Sequence, residues 1–353
     1  MKTIENESAA RVKHLNDLPM IFIVGNSRSG TTMMGRILGN NPNVFTFHEL
    51  HFFEQLWSKS DSDRILSKQK AKKLFLQLMK RQNNGYISNT LYSGNINNIA
   101  NKYINNCLLT EIYTNFLFYI TEENGKSIPC EQTPRYVFFI REILKFFPEA
   151  KIINMIRDPR DVLLSQKRKW KRKFFLGAKG FPLYEAIRMW ANYHPVFISK
   201  LWKASLTAAD KYSTSERVFF LRFEDLIECP EKYIQDICNF IGILYSSDML
   251  KVPQVGSSNF INQPDKKGIN KDVTGKWQTG GLNSAEIYLC QKITGASMAK
   301  HGYGAIPVKP SLFLLFYYKL TLPIKLALAF MLNLKRIKNI KEAIKRRLDI
   351  DNS

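Results

Sequence analysis

A P-loop-like α/β fold, with a central, mostly parallel sheet sandwiched between helices and carrying helical insertions, is the class this sequence predicts, and three observations predict it. Two short apolar runs, Met20–Gly25 and Lys151–Arg157, each pass directly into a helix start, the pattern of strands buried on both faces. The first run ends in a glycine-punctuated loop, GNSRSGTT at 25–32. The 353 residues, 45% apolar, alternate strand-like and helix-like stretches without an internal repeat, which is ample chain for one large core.

Residues 1–19 are polar and contain acids, with no apolar stretch for a signal peptide or anchor, so a cytoplasmic setting is expected. Five scattered cysteines, Cys107, Cys130, Cys229, Cys238 and Cys290, lack any C-x-x-C pairing and suggest neither a disulfide framework nor a zinc ribbon. In the loop, Gly25 and Gly30 let the backbone turn tightly toward an anion, and the following helix offers free N–H groups and the positive end of its dipole. The spacing is that of the Walker pattern, but Thr31 stands where the lysine belongs and Arg28 sits in mid-loop. That lysine reaches the outer phosphates of a triphosphate, so its absence implies a shorter anion.

Asn43–Phe47 reads as a short strand, and the segment Phe47–His51, FHELH, lies at its C-terminal end, where it points into the same crevice as the loop. It offers His48, Glu49 and His51 as proton acceptors. H-E-x-H is one residue short of the zinc motif, so no metal site is expected. Residues 52–80 and 103–122 read as an inserted helical layer that shapes an acceptor pocket, with a loop over 81–101. After Lys151–Arg157, Asp158-Pro159 forms an N-cap followed by proline at the first helical position, so a second strand–helix joint presents Arg157. Ser165 lies two turns along that helix. The run KRKWKRK, Lys167–Lys173, places basic residues around Trp170 and reads as an entry path for an anionic donor or a groove for an acidic or saccharide acceptor. Further helices are expected over 181–212 and Pro230–Ile241, a strand over Val218–Arg222, and a turn-rich lid over Leu244–Thr274.

Leu312–Leu332 is apolar enough to span a bilayer, but Lys319, Pro323 and Lys325 interrupt it, and each lysine near a bilayer centre costs about 2.5–3.5 kcal/mol. Leu334, Ile337, Ile340, Ile344 and Leu348 then follow helical spacing among lysines and arginines. The tail is expected to lie on an anionic membrane surface or to pack on the domain or on a second copy. The chain therefore divides into a domain, 1–306, and a basic amphipathic tail, 307–353. The net charge of +22 exceeds what one nucleotide needs, yet no recognised nucleic-acid-binding fold accompanies it, and nucleic acid is not an expected partner.

The pair SRSGTT at 27–32 and RDPRDVLLS at 157–165 resembles the 5′-phosphosulfate loop and the 3′-phosphate site of the sulfotransferase family, whose donor is 3′-phosphoadenosine 5′-phosphosulfate (PAPS). Thr133-Pro134-Arg135-Tyr136, the segment Arg222–Leu226, and Gly275-Lys276-Trp277 with a helix ending in His301-Gly302-Tyr303 extend the resemblance over roughly residues 18–305. It is closest to the branch that includes tyrosylprotein, heparan-type and many bacterial sulfotransferases. The resemblance implies that Ser27, Arg28, Ser29, Gly30, Thr31 and Thr32 wrap the 5′-phosphosulfate and that Arg157 and Ser165 hold the 3′-phosphate. Phe223 would stack on or near adenine, and Lys276, with Trp277 beside it, would close over the phosphates. Glu49 takes the position of the catalytic base, with His48 as the alternative, and Arg28 stabilises the transferring group. Two positions depart from the family pattern: Gln132 replaces a lysine before the Thr-Pro pair, and Phe223 has no phenolic hydroxyl.

The implied reaction is metal-free sulfuryl transfer from PAPS to a hydroxyl, leaving adenosine 3′,5′-bisphosphate. A glycan or lipid-linked glycan is the expected acceptor, with protein tyrosine left open. Two alternatives remain. A nucleotide-dependent phosphotransferase would need a loop lysine and a metal-holding acid. A membrane-associated nucleotide-binding protein without turnover has Gln132 in its favour.

Overall fold

A computed structural model describes residues 18–84, 108–171, 183–254, 263–336 and 338–348. β1 (Met20–Gly25) is buried along its whole length because its alternate residues serve both faces: Met20, Phe22 and Val24 join one apolar cluster, Ile21 and Ile23 another. α1 (Thr31–Gly39) covers the second face with Met34, Ile37 and Leu38. The chain continues through β2 (Val44–Thr46), α2 (Phe52–Gln55), α3 (Lys68–Asn84), α4 (Leu109–Glu123) and β3 (Ile128–Glu131). There follow α5 (Ile140–Phe146), β4 (Ala150–Ile156), α6 (Pro159–Arg168), α7 (Leu183–Ala191), α8 (Pro195–Asp210) and β5 (Val218–Arg222). After the last sheet strand come α9 (Phe223–Glu228), α10 (Pro230–Ile241), an antiparallel pair β6 (Pro253–Gln254) and β7 (Gln263–Lys267), α11 (Ser284–Lys300), α12 (Leu312–Asn333) and α13 (Ile340–Leu348).

The main sheet has the order β2-β3-β1-β4-β5, and every pairing in it is parallel. From β1 the chain steps outward to β2 and then returns in the opposite direction. Right-handed crossovers therefore put α1 on one face, while α2, α3, α4 and α5 pack on the other through Phe52, Phe75, Phe116 and Ile143. The reversal opens a crevice at the carboxyl ends of the strands beside β1, the place where open parallel sheets bind ligands.

β5 and α10 begin and end where the sequence placed them. The helical layer over 52–80 does not form as one piece: α2 is a single turn and α3 starts only at Lys68. α3 runs on to Asn84, into the expected loop, and the remainder of 81–101 lies outside the described residues. The stretch 181–212 is two helices, because Pro195 opens α8 where its missing amide donor is tolerated. The turn-rich segment 244–274 contains the β6–β7 hairpin, whose tip at 255–262 is outside the described residues.

Candidate active site

Gly25 and Gly30 have φ of 139° and 93°. A Cβ on Gly25 would lie 2.3 Å from the Met155 carbonyl oxygen, and one on Gly30 would lie 2.3 Å from Cδ2 of Phe223, so the loop is wound directly against β4 and against the Phe223 ring. Gly30 starts α1 without a side-chain cap, and no acid occupies the first turn, which leaves the leading amides to an anion. Arg28 and His51 are the two non-glycine residues with positive φ among those described, at 81° and 50°. Such backbone costs of order 1–3 kcal/mol where it persists. Strain is thus stored at the two loops the sequence singled out. Nε of Arg28 donates to Ser165 Oγ at 2.9 Å, joining the phosphate loop to α6. Ser29 Oγ is buried with no hydrogen-bond partner among the described residues.

Arg157 leaves β4 into a buried position, where Nη1 donates to the Arg28 carbonyl at 3.2 Å and Nη2 to the Val273 carbonyl at 2.5 Å. Trp202 Nε1 donates to the Arg157 carbonyl at 2.9 Å and fixes the strand end. Asp158 caps α6 by accepting from the Arg160 amide at 2.8 Å and also pairs with the Arg160 guanidinium. Asp161, 2% exposed, accepts the amides of Gly275 at 2.7 Å and Trp277 at 3.0 Å, so α6 itself holds the loop that carries Lys276. Burial first, then the neighbouring charges of Arg157 and Arg168, depress the Lys276 pKa, as expected of cations crowded around a place for an anion. Glu224 accepts the Asp158 amide at 3.0 Å and the Tyr303 hydroxyl at 2.7 Å. The landmark segments Arg222–Leu226 and His301–Tyr303 therefore meet as scaffolding behind Arg157.

Two residues expected as nucleotide contacts are buried by this packing. Phe223 lines the loop cavity but is 2% exposed, held between Gly30 and the Arg157 guanidinium, whose Cζ is 4.5 Å from the ring centre. It forms a floor for the loop and for the cavity above it. Trp277 is buried beneath Arg160, 3.9 Å from Cζ to the ring, and anchors the Lys276 loop.

At the other corner, Glu49 lines the loop cavity, whereas the exposed His48 is not among its lining residues and contributes its amide to Gln82 Oε1 at 3.0 Å. His51 lies between two carboxylates, with Nε2 3.3 Å from Glu49 Oε2 and Nδ1 3.0 Å from Glu54 Oε2. Nε of Arg135 is 3.7 Å from the other Glu54 oxygen. Burial alone would lower the His51 pKa, but the hydrogen bonds and charges of Glu49 and Glu54 outweigh it and hold it at about 9. Burial would likewise raise Glu49, and His51 together with Lys169 overcomes that and keeps the carboxyl below its ordinary value, with 43% of the side chain open to solvent. At neutral pH the pair is a carboxylate against an imidazolium. Beneath it, the buried Glu131 accepts from the amides of Leu50 at 3.1 Å and Thr133 at 3.0 Å, and burial pushes its pKa up to about 7. Gln132, which replaces the expected lysine, packs against α1 at Gly35 and is not among the residues lining either cavity described here.

Two cavities meet at Ser27. One, about 280 Å³, lies between Arg28–Arg36, Glu49, Arg157 and the β6–β7 hairpin, so the expected lid segment does border the loop. The other, about 390 Å³, begins at Gly25–Ser27 and runs between α7, α8 and α12, with Arg135 and Lys169 among its walls. In the KRKWKRK run, Lys169 thus faces this chamber, Lys167 pairs with Glu286 at 2.7 Å, and residues 172–173 lie outside the described residues.

The profile described as the Sulfotransferase family matches residues 19–247, from β1 through α10 and just beyond. The chain belongs to the sulfotransferase family. It is 24% identical over 305 residues to protein-tyrosine sulfotransferase 1 of Danio rerio, covering 81% of this chain and 73% of that one. Protein-tyrosine sulfotransferase of Drosophila melanogaster is 20% identical over 284 residues, 76% of this chain and 46% of that one. Among solved structures, the sulfotransferase domain of a Synechococcus olefin synthase superposes with a TM-score of 0.49 at 20% identity, over 82% of this chain and 96% of that one. None of these relatives supports the cytoplasmic setting expected from the N-terminus.

Two parts of this sulfotransferase escaped the sequence reading. Asp161 was visible as the second aspartate of RDPRD, one helical turn from Arg157, but the partners it holds are more than a hundred residues away. Glu49, His51 and Arg135 are singled out by the sequence, but their linkage through Glu54 is not, since left-handed backbone at His51 sets its ring between the two acids.

Proposed function

We propose that this sulfotransferase moves the sulfuryl group of PAPS to a hydroxyl acceptor, with Glu49 as general base. The observation that supports this best is the junction of Arg28, Arg157 and Ser165 beside the uncapped start of α1, a concentration of donors suited to an anion with separate phosphate and phosphosulfate groups. Ser27–Thr32 receive the phosphosulfate, Arg157 and Ser165 the 3′-phosphate, and Lys276 closes on the nucleotide. The acceptor oxygen attacks sulfur, the sulfur–oxygen bond to the 5′-phosphate breaks, the acceptor proton passes to Glu49, and adenosine 3′,5′-bisphosphate leaves with the electron pair. Arg28 stabilises charge building on the bridging oxygen. His51, already protonated, keeps Glu49 ionised and oriented; it is a positioning residue.

The larger chamber supports an amphiphilic acceptor, such as a lipid-linked glycan. Phe138, Phe197 and Leu201 offer walls for an apolar stem, and Arg135, Lys169 and Arg188 offer charge for a polar or anionic head. The names of the curated relatives favour a second reading, a tyrosine within a protein. Incubation with radiolabelled donor and parallel pools of lipid-linked saccharides, free saccharides and tyrosine peptides separates the two. Label in the lipid-extractable pool, absent with Glu49→Gln, is the expected result; label confined to peptide replaces it with the tyrosine reading.

A further inference from the structure

α12 has two unlike sides. Its inner side is fastened to the domain at several points: His194 Nε2 donates to the Tyr318 carbonyl at 3.0 Å, Asn283 Nδ2 to the Tyr318 hydroxyl at 3.0 Å, and the Tyr184 hydroxyl to the Leu332 carbonyl at 2.8 Å. Arg188 Nη1 adds a bond to Asn333 Oδ1 at 3.1 Å. Beyond it, Lys338 pairs with Asp61 and donates to the Leu56 carbonyl at 2.8 Å, tying the segment before α13 to the α2 corner. The outer side is bare. Leu312, Phe313, Phe316, Leu320 and Ile324 are between 61% and 81% exposed, and the i, i+4 spacing from 312 to 324 sets them on one stripe. α7, packed beside it, exposes Leu183, Ile187 and Trp190.

α12 contains no acidic residue, and Lys319 within it and Lys309 just before it are exposed. The helix is 22 residues long with a mean hydropathy of 1.5, enough to cross a bilayer. Bonds at Tyr318, Leu332 and Asn333 hold its inner side against the domain, and Lys319, Pro323 and Lys325 interrupt its apolar run. An apolar stripe with Lys319 at its edge, fastened from behind in a chain of net charge +22, suits a helix lying in the plane of the headgroups.

We infer that the outer face of α12 is a docking surface for an anionic lipid bilayer. The inner side of the same helix, through Leu326, Phe330 and Asn333, walls the larger chamber, so docking sets that chamber beside the lipid surface. The inference does not depend on which hydroxyl is sulfated. Each lysine that reaches the surface multiplies partitioning by about fivefold.

Flotation of the full chain with phosphatidylcholine vesicles, with and without phosphatidylglycerol, at low and high salt, tests it. Recovery with anionic vesicles about tenfold above neutral ones, reduced by salt, is expected. The double variant Phe316→Asn, Leu320→Asn should lose about tenfold in partitioning while its circular dichroism and its affinity for adenosine 3′,5′-bisphosphate stay unchanged. Absence of vesicle binding, or equal binding by the variant, overturns the inference. So does self-association in lipid-free sedimentation that the variant abolishes, which would give the face to a second copy of the chain.

Discussion

The two halves of the crevice are built in different ways. On the side proposed for the donor, Arg28, Arg157, Asp161 and the Lys276 loop are locked to one another by hydrogen bonds among strand ends and helix starts. On the side proposed for the acceptor, the Glu49 corner rests on a buried carboxylate and an ion-paired histidine, and the chamber beyond it is walled by α7, α8 and α12, elements far apart in sequence. A preformed anion cradle thus adjoins a chamber that later parts of the chain complete. The proposed donor site is a property of the sheet; the proposed acceptor site is a property of what packs on it.

The sharpest way to break this comparison is to remove the carboxylate that lines the loop cavity. Glu49→Gln should lower turnover by about 10²–10⁴-fold, the usual worth of a general base, while donor affinity holds. Turnover equal to wild type would take the base role from Glu49. On the donor side, Arg157→Ala should weaken adenosine 3′,5′-bisphosphate binding by about 2–5 kcal/mol, as for truncation of a buried, hydrogen-bonded charge; calorimetry showing an unchanged Kd would move the 3′-phosphate elsewhere.

A third outcome concerns pH. The folded His51 value of about 9 stands above the ordinary 6.5, so its contribution is fully present below about 6.5 and is lost as pH rises through about 9. That displacement corresponds to roughly 3 kcal/mol. Urea unfolding at neutral and strongly alkaline pH should show wild type falling by about this amount relative to His51→Gln; parallel curves would mean the histidine is not ion-paired in solution. The smallest effect is expected from Asp161→Asn, which keeps an acceptor for one of the two loop amides and should cost about tenfold in donor affinity, or roughly 1.4 kcal/mol, with the fold intact. No change there would detach the Lys276 loop from the donor site.

The same contrast explains what could be read from the sequence. β1, β4 and the joints after them were legible because a buried strand followed by a glycine loop or an Asp-Pro cap is a local signal, and local signals survive in one dimension. Arg28 and Ser165 could be assigned to one site only by resemblance; their 2.9 Å contact spans 137 residues. Phe223 and Trp277 enter as nucleotide contacts only through the resemblance, and nothing in the sequence signals that packing against Gly30 and Arg160 buries both. The sequence shows Leu312–Leu332 as an apolar run interrupted by Lys319, Pro323 and Lys325, but only the hydrogen bonds from His194, Asn283 and Tyr184 reveal which side of α12 faces the domain.

The most direct test of the central claim is calorimetric titration of the whole chain with adenosine 3′,5′-bisphosphate, against ATP with magnesium as the control. Tight, metal-independent binding of the bisphosphate, weakened in Arg157→Ala and much stronger than that of ATP, is the predicted result. Preference for magnesium-ATP, or bisphosphate binding indifferent to Arg157, would contradict the assignment of this crevice to a PAPS-type donor.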